Sequence, residues 1–465
     1  MVRNINIIFN KVYKPVFSQL SSAINTIINN DKKISVLIYI TVLSIIADTL
    51  INQNADYLVA QNTSAIGIVL FIIIASVCII GQYFILEYVK AKTREIRSKV
   101  LYIRVLHTIV TLSQYAIIAV FMLVVGNIVV LNQYPTIALE MVTAVNYGLN
   151  VALMAVFVQI FSWYRLNRYS IVVLLYALSF AIVVINSSVY IAINFSKFME
   201  KPSHVFPYSK VVFSKYEEGS FMYNIIQVYR FSDVSSFILK WSATVFLLYH
   251  YSRKIGKAKY WALVSIPLIY FLGTFMEEFH LYEPHSDSEF FYWYLYGALN
   301  STAGGILFGI GFMLGARQFP EKSSIKDYMM ISAFGFILFF SAGQSTLAVT
   351  PYPPYGFATM SFFALSTYLI LLGLYCSAIS VSEDVELRKH IKKSAQREAR
   401  FMEGIGTAHM EKELIKRMIV KAKEEQEELT AESGGVKPSI SESDIINIVK
   451  EVEKDVQKQK ERHTS

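Results

Sequence analysis

Cysteine and charge are both scarce in this chain. Two cysteines occur in 465 residues, Cys78 and Cys376, and both sit inside apolar runs. That excludes a disulfide scaffold or a thiolate metal cluster. Charged residues make up 17% of the chain, against roughly 25% in an average soluble domain, so a purely water-soluble fold is not expected. Catalytic signatures are missing as well. No serine, cysteine or threonine comes with a base at motif spacing, and neither a P-loop nor a dinucleotide fingerprint is present. The sequence therefore points away from an enzyme and offers no cofactor site. Residues 1–30 hold no continuous apolar h-region with a small-residue cleavage site, so no secretory signal peptide is expected.

What remains is strongly apolar. Hydrophobic residues form 54% of the chain and bunch into runs of about 17 to 26, the length an α-helix needs to cross a ~30 Å hydrocarbon core. The expected fold is all-α: a polytopic helical membrane protein with about ten transmembrane helices and a cytoplasmic helical tail. The expected spans are 34–50, 65–86, 105–131, 136–161, 170–194, 234–251, 260–282, 290–316, 328–349 and 356–381. Lys and Arg are retained on the cytoplasmic side of short loops. They fill every even-numbered loop: Lys90 to Arg104, Arg165 and Arg168, Arg253 to Lys259, Arg317 to Lys326, and Arg388 onward. Odd-numbered loops are neutral or acidic apart from the mixed fifth. Both termini are thus expected in the cytoplasm and the protein in the cell membrane. The net charge of +8 reflects these retained cations, and no nucleic-acid partner is implied.

Three regions are expected: an amphipathic helix on the inner membrane surface (1–33), the transmembrane domain (34–381) and the tail (382–465). The fifth loop, 195–233, is the long outside segment and divides the spans five and five. Such halves would have opposite topology, as in inverted-repeat transporters, but no matching motifs link them.

Ionisable side chains inside spans default to functional candidates. Here they are Asp48, Glu140, Lys240, Glu277, Glu278 and His280, all placed in the outer third by this topology. Lys240 is the natural counter-ion for one of the carboxylates. Snorkelling to the headgroups is the competing structural explanation. No metal site is expected, because Glu278 and His280 lie on different helix faces and no H-E-x-x-H spacing exists. A second, uncharged set lies nearer mid-membrane: Gln114, Asn146, Asn150, Asn186, Asn300 and Gln344. Amides of this kind glue helices together. The glycine-rich eighth span, Gly297 to Gly315, fits close helix packing, with an unwound ion-binding helix as its alternative.

The composition changes at Ser382. Arg388, Lys389, Lys392, Lys393, Arg397 and Arg400 should bind anionic lipid headgroups at the inner surface. An apolar stripe from Phe401 to Ala422 follows, with Gly404 and Gly406 expected to interrupt it. Beyond the linker 433–438, Ile445, Val449, Val452 and Val456 repeat at spacings of four, three and four, a coiled-coil seam. That helix is too short to persist alone, which implies a cytoplasmic protein partner or a second copy.

The segments GALNSTAGGILFGIGF (297–312), PYPPYGFATMSFF (351–363) and SAISVSEDVELRKHIKKSA (377–395) resemble an uncharacterised multipass membrane protein family of ammonia-oxidising archaea (Thaumarchaeota). The resemblance covers chiefly the last four spans and the start of the tail. It implies an archaeal cell-membrane protein and carries no established activity or ligand residues. The favoured reading is a membrane-embedded sensor or signalling adaptor with an outward-facing polar site and a partner-binding tail. A secondary transporter for a small solute or ion is the alternative.

Overall fold

A computed structural model describes residues 31–53, 65–131, 136–154, 157–166, 171–199, 219–249, 252, 256–269, 286–317, 319, 323–342, 353–383 and 397–432. These residues form helices and turns, with no strand among them. In chain order the helices are α1 (Asp31–Gln53), α2 (Ala65–Lys92), α3 (Arg94–Lys99), α4 (Leu101–Leu131), α5 (Thr136–Met154), α6 (Phe157–Leu166) and α7 (Ile171–Met199). They continue as α8 (Phe221–Leu248), α9 (Lys257–Ser265), α10 (Asp287–Ala316), α11 (Ser324–Ala342), α12 (Phe357–Met360), α13 (Phe363–Glu383) and α14 (Arg397–Glu432).

Seven spans among the described residues are long and apolar enough to cross a membrane. They are α1, α2, α4, α7, α8, α11 and the stretch Phe357–Glu383, which joins α12 to α13. All seven coincide with expected spans. Of the other three expected spans, the eighth falls wholly within α10, the fourth is covered in part by α5 and α6, and the seventh in part by α9 and a 3-10 turn at Ile266–Leu268.

Helical structure enters the expected fifth loop from both sides, because α7 runs to Met199 and α8 begins at Phe221. Gly219, at φ +86°, turns the chain, and Ser220 caps the helix by accepting a hydrogen bond from the Tyr223 N–H at 3.2 Å. Arg230 and Asp233 had hidden this first part of the helix from a hydropathy reading. Lys240 lies 19 residues into α8, about 28 Å from that end. Gly404 and Gly406 do not interrupt the tail helix, which is continuous over Arg397–Glu432. Gly406 is buried where a Cβ would strike the side chain of Val381, so it is small in order to let α14 approach α13. The expected helix at 1–33 (residues 1–30), the basic residues Arg388, Lys389, Lys392 and Lys393, the linker 433–438 and the seam Ile445–Val456 lie outside the described residues. Arg397 and Arg400 fall in the first turn of α14.

The centre of the bundle is α13, which packs on α11, α5, α4 and α14. Almost every residue of α11 and α13 is buried within the protein, whereas α1, α2, α4 and α7 leave apolar faces such as Leu43, Ile73, Leu112 and Ile185 exposed. Exposed apolar faces on long helices suit contact with lipid. Glycines set the close approaches. A Cβ on Gly335 would lie 2.7 Å from the Ile370 backbone nitrogen, and one on Gly373 2.5 Å from the Tyr328 carbonyl oxygen. In α10 a Cβ on Gly305 would lie 2.8 Å from Phe340 Cβ, and one on Gly309 2.6 Å from Ile337 Cγ1. The glycine-rich stretch expected as the eighth span is thus an unbroken packing helix. The interrupted helix is the expected tenth span, 356–381, where Ser361 and Phe362 separate α12 from α13.

Candidate functional site: a polar break at the head of the central helix

The interruption begins in the run Pro353-Pro354-Tyr355-Gly356. Two prolines cannot continue a helix, and Gly356 adopts φ +92°, a left-handed conformation that disfavours other residues. Its missing side chain also matters, because a Cβ there would lie 2.6 Å from Asn52 Nδ2. After one short turn the α-helical ladder lapses. The Phe362 N–H reaches back only to the Thr359 carbonyl, at 3.1 Å, and regular bonding resumes with Ser366 donating to Phe362 at 2.8 Å. All residues from 353 to 374 are buried. Aromatic rings wall the segment: Phe121 meets Phe357 at 4.7 Å between centroids, Phe71 meets Tyr355 at 5.5 Å, and Tyr147 meets Phe363 at 4.7 Å.

Asp48 of α1 secures this turn. It is fully buried, and its Oδ2 accepts from the Thr359 backbone N–H at 2.9 Å and from the Thr359 hydroxyl at 2.7 Å. The Gly356 amide also faces this carboxylate. Thr49 adds a hydroxyl contact to Thr359 at 3.3 Å. Asp48 Oδ1 has no hydrogen-bond partner among the described residues. Sequence reading singled out Asp48 but not the residues that hold it.

Three buried amides lie at the level of the next few residues. Gln82 of α2 donates through Nε2 to Ser361 Oγ, whose hydroxyl donates to the Ala358 carbonyl at 2.5 Å. Gln114 of α4 lies on one helix stripe between His107, which bonds Tyr368 at 2.7 Å, and Phe121, which meets Phe357. Seven-residue steps keep one face, so Gln114 faces the stretch between Phe357 and Tyr368. Asn146 of α5 is one turn from Asn150, which accepts from Thr367, so Asn146 faces the level of Phe363. Its Nδ2 donates to the Val142 carbonyl at 3.0 Å. Gln82, Gln114 and Asn146 are all fully buried. Gln82 Oε1, Asn146 Oδ1 and both polar atoms of Gln114 lack a partner among the described residues. Gln82 escaped the sequence reading because it lies near the basic end of its span.

The other candidates divide differently. Asn150 bridges Ser187, at 2.6 Å, and Thr367, tying α5 to α7 and α13. Asn186 donates to the Tyr229 carbonyl at 3.2 Å and to Ser232 at 3.1 Å. Both act as helix glue. Lys240 is buried, donates to Ser236 Oγ at 2.5 Å and lies over the rings of Phe339 and Phe340 at 5.2 and 5.5 Å. Among the described residues it forms no ion pair with Asp48; the side chain of Glu140 and the residues Glu277 and Glu278, the other carboxylates expected to pair with it, lie outside them. The side chains of Glu140 and Asn300, and the residues Glu277, Glu278, His280 and Gln344, fall outside the described set.

At its opposite end α13 meets the tail. Ile405, Ala408 and His409 of α14 are buried. The His409 ring lies 5.5 Å from Tyr375 of α13 and 6.1 Å from Trp163 of α6, and Lys412 reaches Ser162 at 3.3 Å. Burial pushes the His409 imidazole below its usual pKa, against an opposing pull from Glu413. No family model, curated protein or solved structure matches this chain.

Proposed function

We propose that this protein is a membrane-embedded sensor or signalling adaptor in which the polar break at the head of α13 is read out by the tail helix at its foot. One observation carries the reading. The same buried helix follows directly on the turn held by Asp48 and Gln82 and, at its other end, packs against Gly406 and His409 of α14. A change of state at residues 359–363 would shift or rotate a rigid helix, and α14 is packed on that helix. The basic loops support a cytoplasmic tail in a cell membrane, and the seam Ile445, Val449, Val452 and Val456 would then recruit a cytoplasmic partner.

The test is hydrogen exchange on α14. Ser361→Ala should raise exchange at the buried amides around Ile405 to His409, whereas Asn186→Leu, which loosens the α7–α8 contact, should not. Equal effects of both substitutions would sink the reading.

A second reading, secondary transport, is favoured by one observation, a buried carboxylate at an interrupted membrane helix. It predicts that removing α14 leaves solute flux intact while Asp48→Asn abolishes it.

A further inference from the structure

The unpartnered atoms at the break have a chemical bias. The Ser361 hydroxyl spends its proton on the Ala358 carbonyl, so it can only accept from Gln82. That fixes Gln82 with its nitrogen toward Ser361 and leaves Oε1 as the unmet atom. The Val142 carbonyl likewise accepts only, which fixes Asn146 and leaves its Oδ1 unmet. Asp48 contributes a third oxygen, Oδ1. Gln114, with both ends unmet, can turn its own oxygen the same way. Three of these four side chains thus offer only an acceptor, and one carries a formal negative charge.

These groups approach the chain at Thr359 (Asp48), Ser361 (Gln82) and the level of Phe363 (Asn146). These positions lie within four residue steps of one another across the break. Buried acceptors left unmet are costly, and no lysine, arginine or histidine forms an ion pair with Asp48 among the described residues. A guest that supplies only positive charge satisfies the acceptors among them, leaving the Gln114 Nε2 donor.

We propose that the break between α12 and α13 binds a monovalent alkali cation, with Asp48 supplying the charge and the amide oxygens of Gln82, Gln114 and Asn146 the remaining coordination. One carboxylate balances one positive charge, which favours a monovalent over a divalent ion. Being neutral and pre-oriented, the amide oxygens can replace hydration water without adding charge to the membrane interior. The inference rests on the sensor reading only in naming the ligand class of its site.

The experiment is thermal unfolding of the detergent-purified full chain in sodium, potassium or choline chloride at matched ionic strength. Sodium or potassium should raise the midpoint above choline by about 3 °C or more at saturation, with a hyperbolic concentration dependence. Gln114→Leu and Asp48→Asn should abolish that increment, and Asn186→Leu, remote from the break, should keep it. Should Asp48→Asn fail to fold, Gln114→Leu and Asn146→Leu carry the test. Identical midpoints in all three salts would overturn the proposal, leaving buried water as the occupant; so would an increment that survives Gln114→Leu. Failure of the sensor reading is separable: cation-dependent unfolding with unchanged exchange on α14 would leave a cation site that the tail does not read.

Discussion

Thr359 donates twice to a single oxygen of Asp48, once from its backbone N–H at 2.9 Å and once from its hydroxyl at 2.7 Å. The two residues are 311 apart in the chain, so this pair closes the first expected span against the last. A carboxylate buried among helices is tolerated only when it is hydrogen-bonded, and Thr359 supplies both bonds at the one place where the helix is interrupted.

Thr359→Val should therefore be costly although it preserves shape. It removes one donor from a buried charge, with an expected loss of about 1–3 kcal/mol, while Thr359→Ser should recover most of it. Equilibrium unfolding in detergent checks this. Equal stability of the valine and serine variants would show that the hydroxyl contributes little.

Gly406→Leu should release the tail helix. The new side chain meets Val381 and the backbone of Ser382, so α14 should lift off α13 and become sensitive to trypsin at Lys416 and Lys421. Thr407→Leu, on the exposed side of the same turn, should leave digestion unchanged.

Acidification should loosen the same contact. Burial holds the His409 imidazole below its usual value of about 6.5, so the docked helix favours the neutral ring. Above that pH the ring is neutral whether α14 is docked or free, and docking is at full strength. As pH falls through 6.5 the free state takes up a proton first, and docking weakens progressively. Glu413 partly opposes the shift and Lys412 adds to it. Trypsin digestion at pH 7.5 and 5.5 should differ in the native protein and much less in His409→Gln.

Orientation is open to a direct check. Cysteines placed at Lys257 and Lys322 should resist an impermeant thiol reagent in intact cells, and one at Ser286 should react. Labelling at Lys257 would reverse the assignment. A photoreactive residue at Val452 should crosslink to another polypeptide, and adducts confined to the same chain would remove the case for a tail partner.

Hydropathy made the helical class legible because each span must satisfy its backbone internally and present apolar side chains. The start of α8 was not legible, since Arg230 and Asp233 depress the apolar signal while a cap at Ser220 sets the boundary locally. The site was half legible. Asp48, Gln114 and Asn146 stand out as polar residues in apolar runs. Thr359 and Ser361 do not, because hydroxyls are common in membrane helices and commonly bond their own backbone. Pro353-Pro354-Tyr355 fell between two expected spans, but only the backbone bonding at Ser361 and Phe362 revealed that the helix beyond is broken. Gly404 and Gly406 misled in the opposite direction: glycine weakens an isolated helix, yet here it serves a close helix crossing.

The central claim is that α13 carries a change at the break to the tail. Spin labels at Arg165 of α6 and Lys416 of α14, both exposed, report the position of the tail helix against the bundle. The account predicts that Asp48→Asn shifts or broadens the distance distribution measured by double electron–electron resonance, while Asn186→Leu leaves it as in the native protein. Superimposable distributions for the native protein and Asp48→Asn would contradict it.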